Sequence, residues 1–304
     1  MFENLFSERG LSLDRLRVLV EVHDAGSIAA AVPGDPVRQS QYSRQIRELS
    51  EYFGCDVAQR SGKVLRLTPQ GARLAQLARS HLQSIEDFRA ECRAESVDYT
   101  IAAGDSIIQW LVIPRVGNVL ATVPDVRLAT ANLRTNDIVQ QLSDGRIDFG
   151  ILRRNAVPAT LKSKPLGKLK YTLVVPRELK PPRLKVTLAH ALAHLPIASQ
   201  KSDGQFIRRL REIANASGTD LTPSLLCESF PQSLSAVRTG CFAAILPKIA
   251  TSDLKEPRYL MIEDKALAVL HRDLALAWNP RLSHVRPIAN KLADALSRQL
   301  AIDR

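Results

Sequence analysis

The stretch from Gly26 to Gly71 constrains the fold of this chain more than any other part of the sequence. It contains a short apolar segment, a Pro-Gly-Asp-Pro turn at 33–36, a long polar run and a hairpin-like segment around 61–63. A polar run closed by a glycine predicts a helix, and two short strands across a glycine-containing turn predict a hairpin. A winged DNA-reading module needs these two parts, a polar helix and a basic hairpin after it.

Caps and glycines delimit the expected elements of residues 1–95. The pattern predicts helices that begin near residues 13, 27, 38 and 69, with strands at 57–60 and 64–67. Gly26 ends the first helix and Ser27 caps the second. In the third helix, which Gly54 ends, we expect Ile46, Leu49 and Phe53 to face inward.

The helix that begins at Pro69 and runs to about residue 93 carries an apolar stripe. A lone solvated helix has no reason to carry such a stripe, so the stripe predicts packing against a second copy of the chain. The residues expected to form this dimer contact are Leu74, Leu77, Leu82, Ile85 and Phe88, with Ala78 on the same face.

From Tyr99 onward, strand and helix patterns alternate, which predicts an α/β region with a parallel sheet. The expected strands are 99–103, 126–131, 148–152, 171–176, 196–199, 224–228, 243–246 and 274–278. The expected helices are 107–121, 136–145, 205–216, 232–239 and 283–300.

The distribution of charge is more informative than its total. The net charge is +11, but residues 1–95 hold 13 basic and 13 acidic side chains, so the remainder carries the whole excess. Within residues 36–73, seven Lys and Arg stand against three acids, which favours DNA binding locally. No signal peptide and no membrane-length apolar run are evident, so we expect a soluble, cytoplasmic protein without membrane association.

The order of short motifs resembles that of LysR-type transcriptional regulators. In the N-terminal part the matching residues are Gly26-Ser27-Ile28, Ala30-Ala31, Gln39, Ser43-Arg44-Gln45-Ile46, Leu49, Gly54, Arg60 and Leu67-Thr68-x-x-Gly71. Further matches are Val112-Ile113-Pro114, Pro124-Asp125-Val126, Leu142-x-x-Gly145-x-Ile147-Asp148 and the run from Gly240 to Pro247. The resemblance therefore covers nearly the whole chain.

This resemblance implies an α+β and α/β architecture. It comprises a winged helix-turn-helix (1–68), a linker and dimerisation helix (69–95) and an effector domain (96–304) like type II periplasmic binding proteins. In that domain, subdomain I would span about 97–174 and 278–304, and subdomain II about 175–277. The family implies a small effector in the cleft, a homodimer that forms a tetramer, and RNA polymerase as a further candidate partner.

Four departures from the family pattern suggest an unusual member. Pro33-Gly34-Asp35 shortens the second helix, and Ala58 stands where an aromatic residue is usual. Arg38 and Ser40 replace the usual Ser and Pro at the start of the third helix, so the target site is expected to differ. Phe242 replaces a customary Gly and is expected to crowd the effector cleft.

Base edges in the major groove require paired donors and acceptors, and phosphates require cations. The predicted DNA contacts are therefore the polar residues at the start of the third helix, one helix N-terminus and the basic hairpin. Gln39 would bond adenine, Arg38 guanine, and Tyr42 would contact a thymine methyl group. The full set is Ser27, Arg38, Gln39, Ser40, Gln41, Tyr42, Ser43, Arg44, Arg60, Lys63 and Arg66.

Open α/β sheets bind ligands at the carboxyl ends of their strands. Loops there carry hydroxyl donors and cations that suit a carboxylate, and the basic balance of this half favours an anionic effector or extra contact with DNA. The predicted effector-binding residues are Asp105, Ser106, Arg134, Thr135, Asn136, Arg153, Ser199, Lys201, Ser202 and Glu228.

Three other functional classes are compatible with the sequence. One is a constitutive DNA binder whose cleft Phe242 fills, and another is a cytoplasmic small-solute-binding protein. The third is an α/β enzyme, for which no nucleophile–base constellation and no G-x-S-x-G turn is present. No catalytic residue or cofactor is therefore predicted, and His190-x-x-x-His194 lacks a third ligand for a metal.

Overall fold

The computed structural model of the protein describes residues 2–7, 9–61, 64–182, 185–201, 205–255 and 257–302. The chain forms two compact units. The first comprises Met1–Asp98, Asp144–Arg146 and Pro280–Ala289, and the second comprises Tyr99–Ser143, Ile147–Asn279 and Asn290–Arg304.

The α-helices follow in chain order. They are α1 (Glu3–Phe6), α2 (Leu13–Ala25), α3 (Ile28–Ala31), α4 (Pro36–Phe53), α5 (Pro69–Cys92), α6 (Asp105–Ile107), α7 (Ile113–Thr122), α8 (Thr135–Asp144), α9 (Leu188–His194), α10 (Gln205–Ala216), α11 (Phe230–Arg238), α12 (Leu282–Val285) and α13 (Ile288–Gln299). A π-helical segment, Ile108–Val112, joins α6 to α7.

The strands are shorter than most of these helices. They are β1 (Ala58–Ser61), β2 (Val64–Leu67), β3 (Val97–Ala103), β4 (Val126–Asn132), β5 (Phe149–Arg153), β6 (Lys162–Leu169), β7 (Tyr171–Pro176), β8 (Ala198–Gln200), β9 (Leu225–Cys227), β10 (Ala244–Pro247), β11 (Tyr259–Ile262) and β12 (Arg272–Trp278). In the second unit, β5–β7 and β10–β12 follow one another without an intervening α-helix.

Local capping chemistry sets the helix boundaries of the first unit. Gly26 adopts a left-handed φ of 77° and ends α2. The Ser27 hydroxyl accepts a hydrogen bond from the Ala30 amide and begins α3. Asp35 caps α4, with Pro36 in its first turn, so this helix begins two residues before the predicted Arg38.

The core of the first unit brings α2, α3, α4 and the hairpin together. Val18, Leu19, Val22, Ile46 and Leu49 are all at most 2% exposed. The inward prediction for Phe53 was wrong, because it lies in the last turn of α4 and is 38% exposed.

A helix N-cap and a close backbone contact explain why threonine and glycine stand at positions 68 and 71. The Thr68 hydroxyl accepts from the Gly71 amide at 3.1 Å and donates to the Asp56 carbonyl at 2.7 Å. A Cβ at position 71 would lie 2.0 Å from the Val57 carbonyl oxygen, so only glycine lets α5 begin against the hairpin.

Thr68→Ala is expected to lower the free energy of unfolding by about 1 kcal/mol, because it removes an N-cap. Thr122→Ala is the matched control, since Thr122 is exposed and its hydroxyl donates to the Asn118 carbonyl within the same helix. Urea unfolding followed by circular dichroism measures both. An equal effect of the two substitutions would contradict the capping role.

Ion pairs hold residues 144–146 within the first unit. Arg146 contacts the Asp24 carboxylate at 2.9 Å, and Arg79 bonds the same carboxylate. Burial opposes ionisation of Asp24, but hydrogen bonds from His23 and Arg79 and the charges of Arg79 and Arg146 outweigh it and lower the pKa of Asp24 to about 2. Gln76 of α5 donates to Asp144 at 3.0 Å.

A buried ion pair attaches the 280–289 segment to α5. Arg286 and Asp87 pair at 2.5 Å, with side chains only 3% and 9% exposed. Arg286 also donates to the Asp98 carbonyl at 2.5 Å, and Ser84 donates to the Val285 carbonyl at 2.6 Å.

The helix predicted for residues 283–300 is broken at residues 286–287. Pro287 follows an extended Arg286, which ends α12 before α13 begins.

The second unit contains two principal sheets, and neither is wholly parallel. The first has the order β4-β3-β5-β12-β6, in which β3 pairs parallel with β5, and β12 pairs antiparallel with β5 and β6. The second has the order β10-β7-β11 and is antiparallel. A parallel pair β8-β9 adjoins it through a bridge between Ile197 and Ala243.

Strand membership shifts the expected subdomain boundaries by a few residues. The whole of β7 lies in the antiparallel sheet and the whole of β12 in the five-stranded sheet, so the chain passes between sheets near residues 170 and 271. The sequence patterns did not predict strands β6 and β11. The alternation of lysines with glycine and proline in β6 resembles a loop, yet it pairs along the edge of the first sheet.

Candidate functional site

The exposed face of α4 carries polar residues at its N-terminal turns. Arg38, Ser40, Gln41 and Arg44 are exposed, while Ile46 and Leu49 of the same helix are buried in the core. Arg38 donates to the Tyr42 hydroxyl at 3.2 Å, and its guanidinium lies 5.7 Å from the Tyr42 ring centroid. Arg44 pairs with Glu48 at 2.9 Å. This helix therefore presents cations and amides on a rigid element.

Tyr42 does not belong to that exposed face. It is 5% exposed and its hydroxyl bonds the Glu21 carboxylate of α2. Burial and this hydrogen bond raise the pKa of Tyr42. The expected contact of its ring with a thymine methyl group was wrong, because the ring is part of the core.

Gln39 and Ser43 are half-buried. The Gln39 side-chain amide donates to the Val32 carbonyl at 3.0 Å, which ties α4 to the end of α3. Bidentate bonding of adenine by Gln39 would require this hydrogen bond to break. Ser27 is half-buried at the N-terminus of α3, and its role at a phosphate stays a prediction.

The hairpin arginines point to opposite faces. Arg60 stands opposite Leu65 and Arg66 stands opposite Gln59, and neighbouring positions in a strand alternate between faces. Both arginines are exposed. They are therefore expected to reach different phosphates. Lys63, at the predicted turn, lies outside the described residues.

A cleft of about 780 Å³ lies between the two principal sheets of the second unit. Loops at the carboxyl ends of β3, β4, β5 and β9 converge on it, as the sequence predicted. Six of the predicted effector residues line it, namely Asp105, Ser106, Arg134, Thr135, Arg153 and Glu228.

The remaining predicted effector residues are not part of the cleft lining. Asn136 lines a neighbouring recess of about 380 Å³. Lys201 is exposed and pairs with Glu228 at 3.5 Å. Ser199 is 3% exposed, because alternation along β8 turns Gln200 rather than Ser199 into the cleft. Ser202 lies outside the described residues.

Aromatic, amide and arginine side chains that were not among the predicted effector residues complete the cleft. Tyr171, Phe206 and Phe230 form a cluster with ring centroids 5.0 to 5.7 Å apart. Gln200, Gln205, Gln232 and Arg272 line the cleft beside them. These residues come from five separate elements, so no local pattern connects them.

Cations and a buried hydroxyl define the electrostatics of the cleft. Burial, together with the charges of Arg272 and Arg209, lowers the pKa of Arg153. Burial raises the pKa of Tyr171, while the charges of Arg272 and Arg153 oppose this shift. The Tyr171 hydroxyl is buried and has no hydrogen-bond partner among the described residues. A ligand acceptor would satisfy this group.

Phe242 does not line the cleft. It is half-buried and packs, with Trp110 and Phe230, against the core that contains Val174 and Leu246. The expectation that Phe242 crowds the cleft was therefore wrong. Phe230, in the segment that follows β9, is an aromatic residue that does line the cleft.

Neither a membrane span nor a metal cluster is found in the part of the chain that the structure describes. No helix there has the length and apolar character needed to cross a membrane. No group of three or more His, Cys, Asp or Glu side chains is placed to hold a metal ion in the same ranges. His190 and His194 lie on α9 with ring centroids 4.9 Å apart.

Comparison with known proteins identifies two family regions and several relatives. Residues 13–72 match the bacterial regulatory helix-turn-helix of the lysR family, and residues 95–301 match the LysR substrate binding domain. An uncharacterized HTH-type transcriptional regulator of Mycobacterium tuberculosis is 24% identical over 308 residues, which cover 96% of this chain and 97% of that protein.

Two solved structures share the fold over nearly the whole chain. A full-length OxyR variant of Pseudomonas aeruginosa has a TM-score of 0.65 at 19% identity and covers 97% of both chains. LysG of Corynebacterium glutamicum, solved with its bound effector Arg, has a TM-score of 0.62 at 16% identity and covers 96% of this chain and all of its own.

Proposed function

The chain belongs to the LysR family of DNA-binding transcriptional regulators, which are not enzymes, and we propose from this premise that α4 reads its DNA site and the cleft senses a small anion. The observation that carries the first half is the exposure of Arg38, Ser40 and Gln41 at the N-terminal turns of a helix that is anchored by buried Ile46 and Leu49. The N-terminal turns of such a helix enter the major groove.

The proposed DNA contacts follow the exposure of the side chains. Arg38 and Gln41 contact base edges, and Arg44 and Ser27 contact phosphates. Arg60 and Arg66 contact the backbone on either side of the hairpin. Gln39 acts chiefly by holding α4 against Val32.

The cleft supports the sensing role. It offers Ser106 and Thr135 as hydroxyl donors, Arg153 and Arg272 as cations, and the unpartnered Tyr171 hydroxyl. These groups suit an anion with an apolar part that packs on Phe206 and Phe230. Ligand binding would shift the protein between pre-existing arrangements of the two sheets. No observation favours a constitutive binder, since Phe242 leaves the cleft open.

A second copy of the chain is the proposed occupant of the exposed stripe on α5. Leu77, Ile85 and Phe88 are 46%, 52% and 66% exposed and lie on one helical face. The two other predicted dimer residues are half-buried, and Leu74 packs against the core of its own unit, while Leu82 stays a predicted contact. Burying them against an equivalent helix forms a dimer. Tetramer formation and contact with RNA polymerase are further proposals that rest on the family alone.

Phe88→Glu is expected to convert the dimer to a monomer, because it places a charge in the apolar α5 contact that the dimer would bury. Sedimentation velocity of the full chain at micromolar concentration measures the mass. Leu226→Glu is the matched control, since Leu226 is 56% exposed on β9 of the second unit. A Phe88→Glu protein that keeps its dimer mass would contradict the proposed interface.

The proposed function is tested by selecting fragments of the source genome on the purified full-length protein. Enrichment of one sequence motif, with footprints that change when a cleft ligand is added, is the expected result. Binding that ignores sequence and disappears at moderate salt would overturn sequence-specific reading. Footprints that no small anion alters would overturn the sensing half alone.

A further inference from the structure

A basic recess of about 450 Å³ adjoins the ligand cleft in the second unit. The residues that matter are Arg153, Arg154, Gln205, Arg209, His271 and Arg272, which we call the arginine recess. Arg153, Gln205 and Arg272 also line the cleft, so the two spaces share a wall.

Among the residues that the structure describes, the arginine recess holds more positive than negative charge. Four guanidiniums of these residues line it against one carboxylate, Asp273. Within the described ranges, no carboxylate lies within ion-pairing distance of Arg153, Arg154, Arg209 or Arg272. The contacts found are with neutral groups, because Arg153 bonds the Gln205 amide oxygen and Arg209 donates to the Val269 carbonyl at 2.5 Å.

Lysine charges also surround His271 at the rim. Its burial and the charges of Lys168 and Lys170 lower the pKa of His271, which disfavours its protonated form. The guanidiniums remain charged at any physiological pH. The recess therefore holds a fixed cluster of cations whose mutual repulsion an anion would relieve.

The two walls of the recess come from different parts of the second unit. Arg153 ends β5, and Arg272 begins β12, whose Leu274 stands opposite Arg153 in the five-stranded sheet. Gln205 and Arg209 are four residues apart on α10 and so share one helical face. An anion in the recess would contact the sheet and α10 at once.

We propose that the arginine recess binds a compact dianionic group, a phosphate monoester or a dicarboxylate, as a subsite that extends the ligand cleft. This inference rests on the proposed sensing function and specifies the ligand. A monoanion neutralises one guanidinium, whereas a dianion offsets the repulsion between both walls. Arginine forks bind carboxylates and phosphates through paired hydrogen bonds.

The bound dianion would favour the arrangement in which α10 lies close to β5 and β12. Its contacts with Arg209 on one side and Arg153 and Arg272 on the other exist together only in that arrangement. A ligand shifts an equilibrium by the difference in its affinity for the two states. Binding of a dianion in the recess would therefore be coupled to how closely α10 approaches β5 and β12.

Calorimetric titration of the full-length protein at constant ionic strength tests the proposal. The probes are glycerol 3-phosphate and succinate as dianions, and acetate as the monoanion. We expect at least one dianion to bind about tenfold more tightly than acetate. The preferred dianion assigns the phosphate or the dicarboxylate class. Equal affinity for all three probes, or no binding by any of them, would overturn the proposal.

Arg209→Gln is expected to weaken dianion binding about tenfold, because it removes one charged wall. Arg208→Gln is the matched control, since Arg208 is its exposed neighbour on α10 and lies outside the recess. Arg154→Gln provides a second recess variant, and thermal unfolding without ligand checks that each variant folds. Unchanged dianion affinity in both folded recess variants would overturn the subsite.

The DNA response separates this inference from the proposed function. If a small anion alters the footprints of the Arg209→Gln and Arg154→Gln proteins as it does those of the unmodified protein, sensing stands and the arginine recess is excluded. If dianions bind the recess without changing any footprint, the subsite stands and the sensing function fails.

Discussion

Replacing Asp87 by alanine is expected to lower the free energy of unfolding of the first unit by about 3–5 kcal/mol, because it leaves a buried charge without its partner. The Arg286 side chain is 3% exposed and bonds both Asp87 oxygens, at 2.5 and 3.0 Å. After the substitution, the Asp98 carbonyl still accepts from Arg286 at 2.5 Å, but a neutral acceptor does not balance a guanidinium. Urea unfolding measures the loss.

Two controls test whether the loss of stability comes from burial of the charge or from the loss of an ion pair as such. Asp294→Ala breaks an exposed ion pair in which the Lys164 side chain is 42% exposed and the Asp294 side chain is 56% exposed. This substitution is expected to lower the free energy of unfolding by less than about 1 kcal/mol. The double substitution Asp87→Leu with Arg286→Met removes both charges and is expected to recover most of the stability. A double variant as unstable as Asp87→Ala would contradict this explanation.

Arg38→Glu is expected to weaken specific DNA binding about 10- to 100-fold, since it removes the proposed base contact and adds a charge that repels phosphate. Arg38 is exposed on the first turns of α4, and its guanidinium is oriented by the Tyr42 hydroxyl. Fluorescence anisotropy with the selected operator and a scrambled duplex at one salt concentration measures the effect.

The control for Arg38→Glu changes the same charge elsewhere. Arg298→Glu alters an exposed arginine of α13 in the second unit and is expected to leave operator affinity within about twofold. Tyr42→Phe removes only the hydroxyl that links Arg38 to Glu21, and is expected to have an intermediate effect. An Arg38→Glu protein with unchanged operator affinity would exclude Arg38 from the DNA contact.

Much of the first unit could be predicted from sequence because its signals are local. Ser27, Gly26 and Gly54 act within one helical turn, so capping hydrogen bonds and left-handed glycines delimit the helices directly. Tyr42 escaped prediction for the opposite reason. Its polar neighbours on α4 suggest an exposed face, whereas its burial depends on Glu21 of another helix.

The order of the motifs along the chain was enough to determine the family, the helix-turn-helix and the alternating α/β region. It also determined which strand ends would converge on a cleft, because the carboxyl ends of neighbouring parallel strands share an edge. Only the tertiary structure decided that Tyr171, Phe206 and Arg272 line that cleft and that Arg209 joins Arg153 in the arginine recess. These residues are distant in sequence, and neither side-chain orientation nor charge balance can be known until the sheets and α10 have packed.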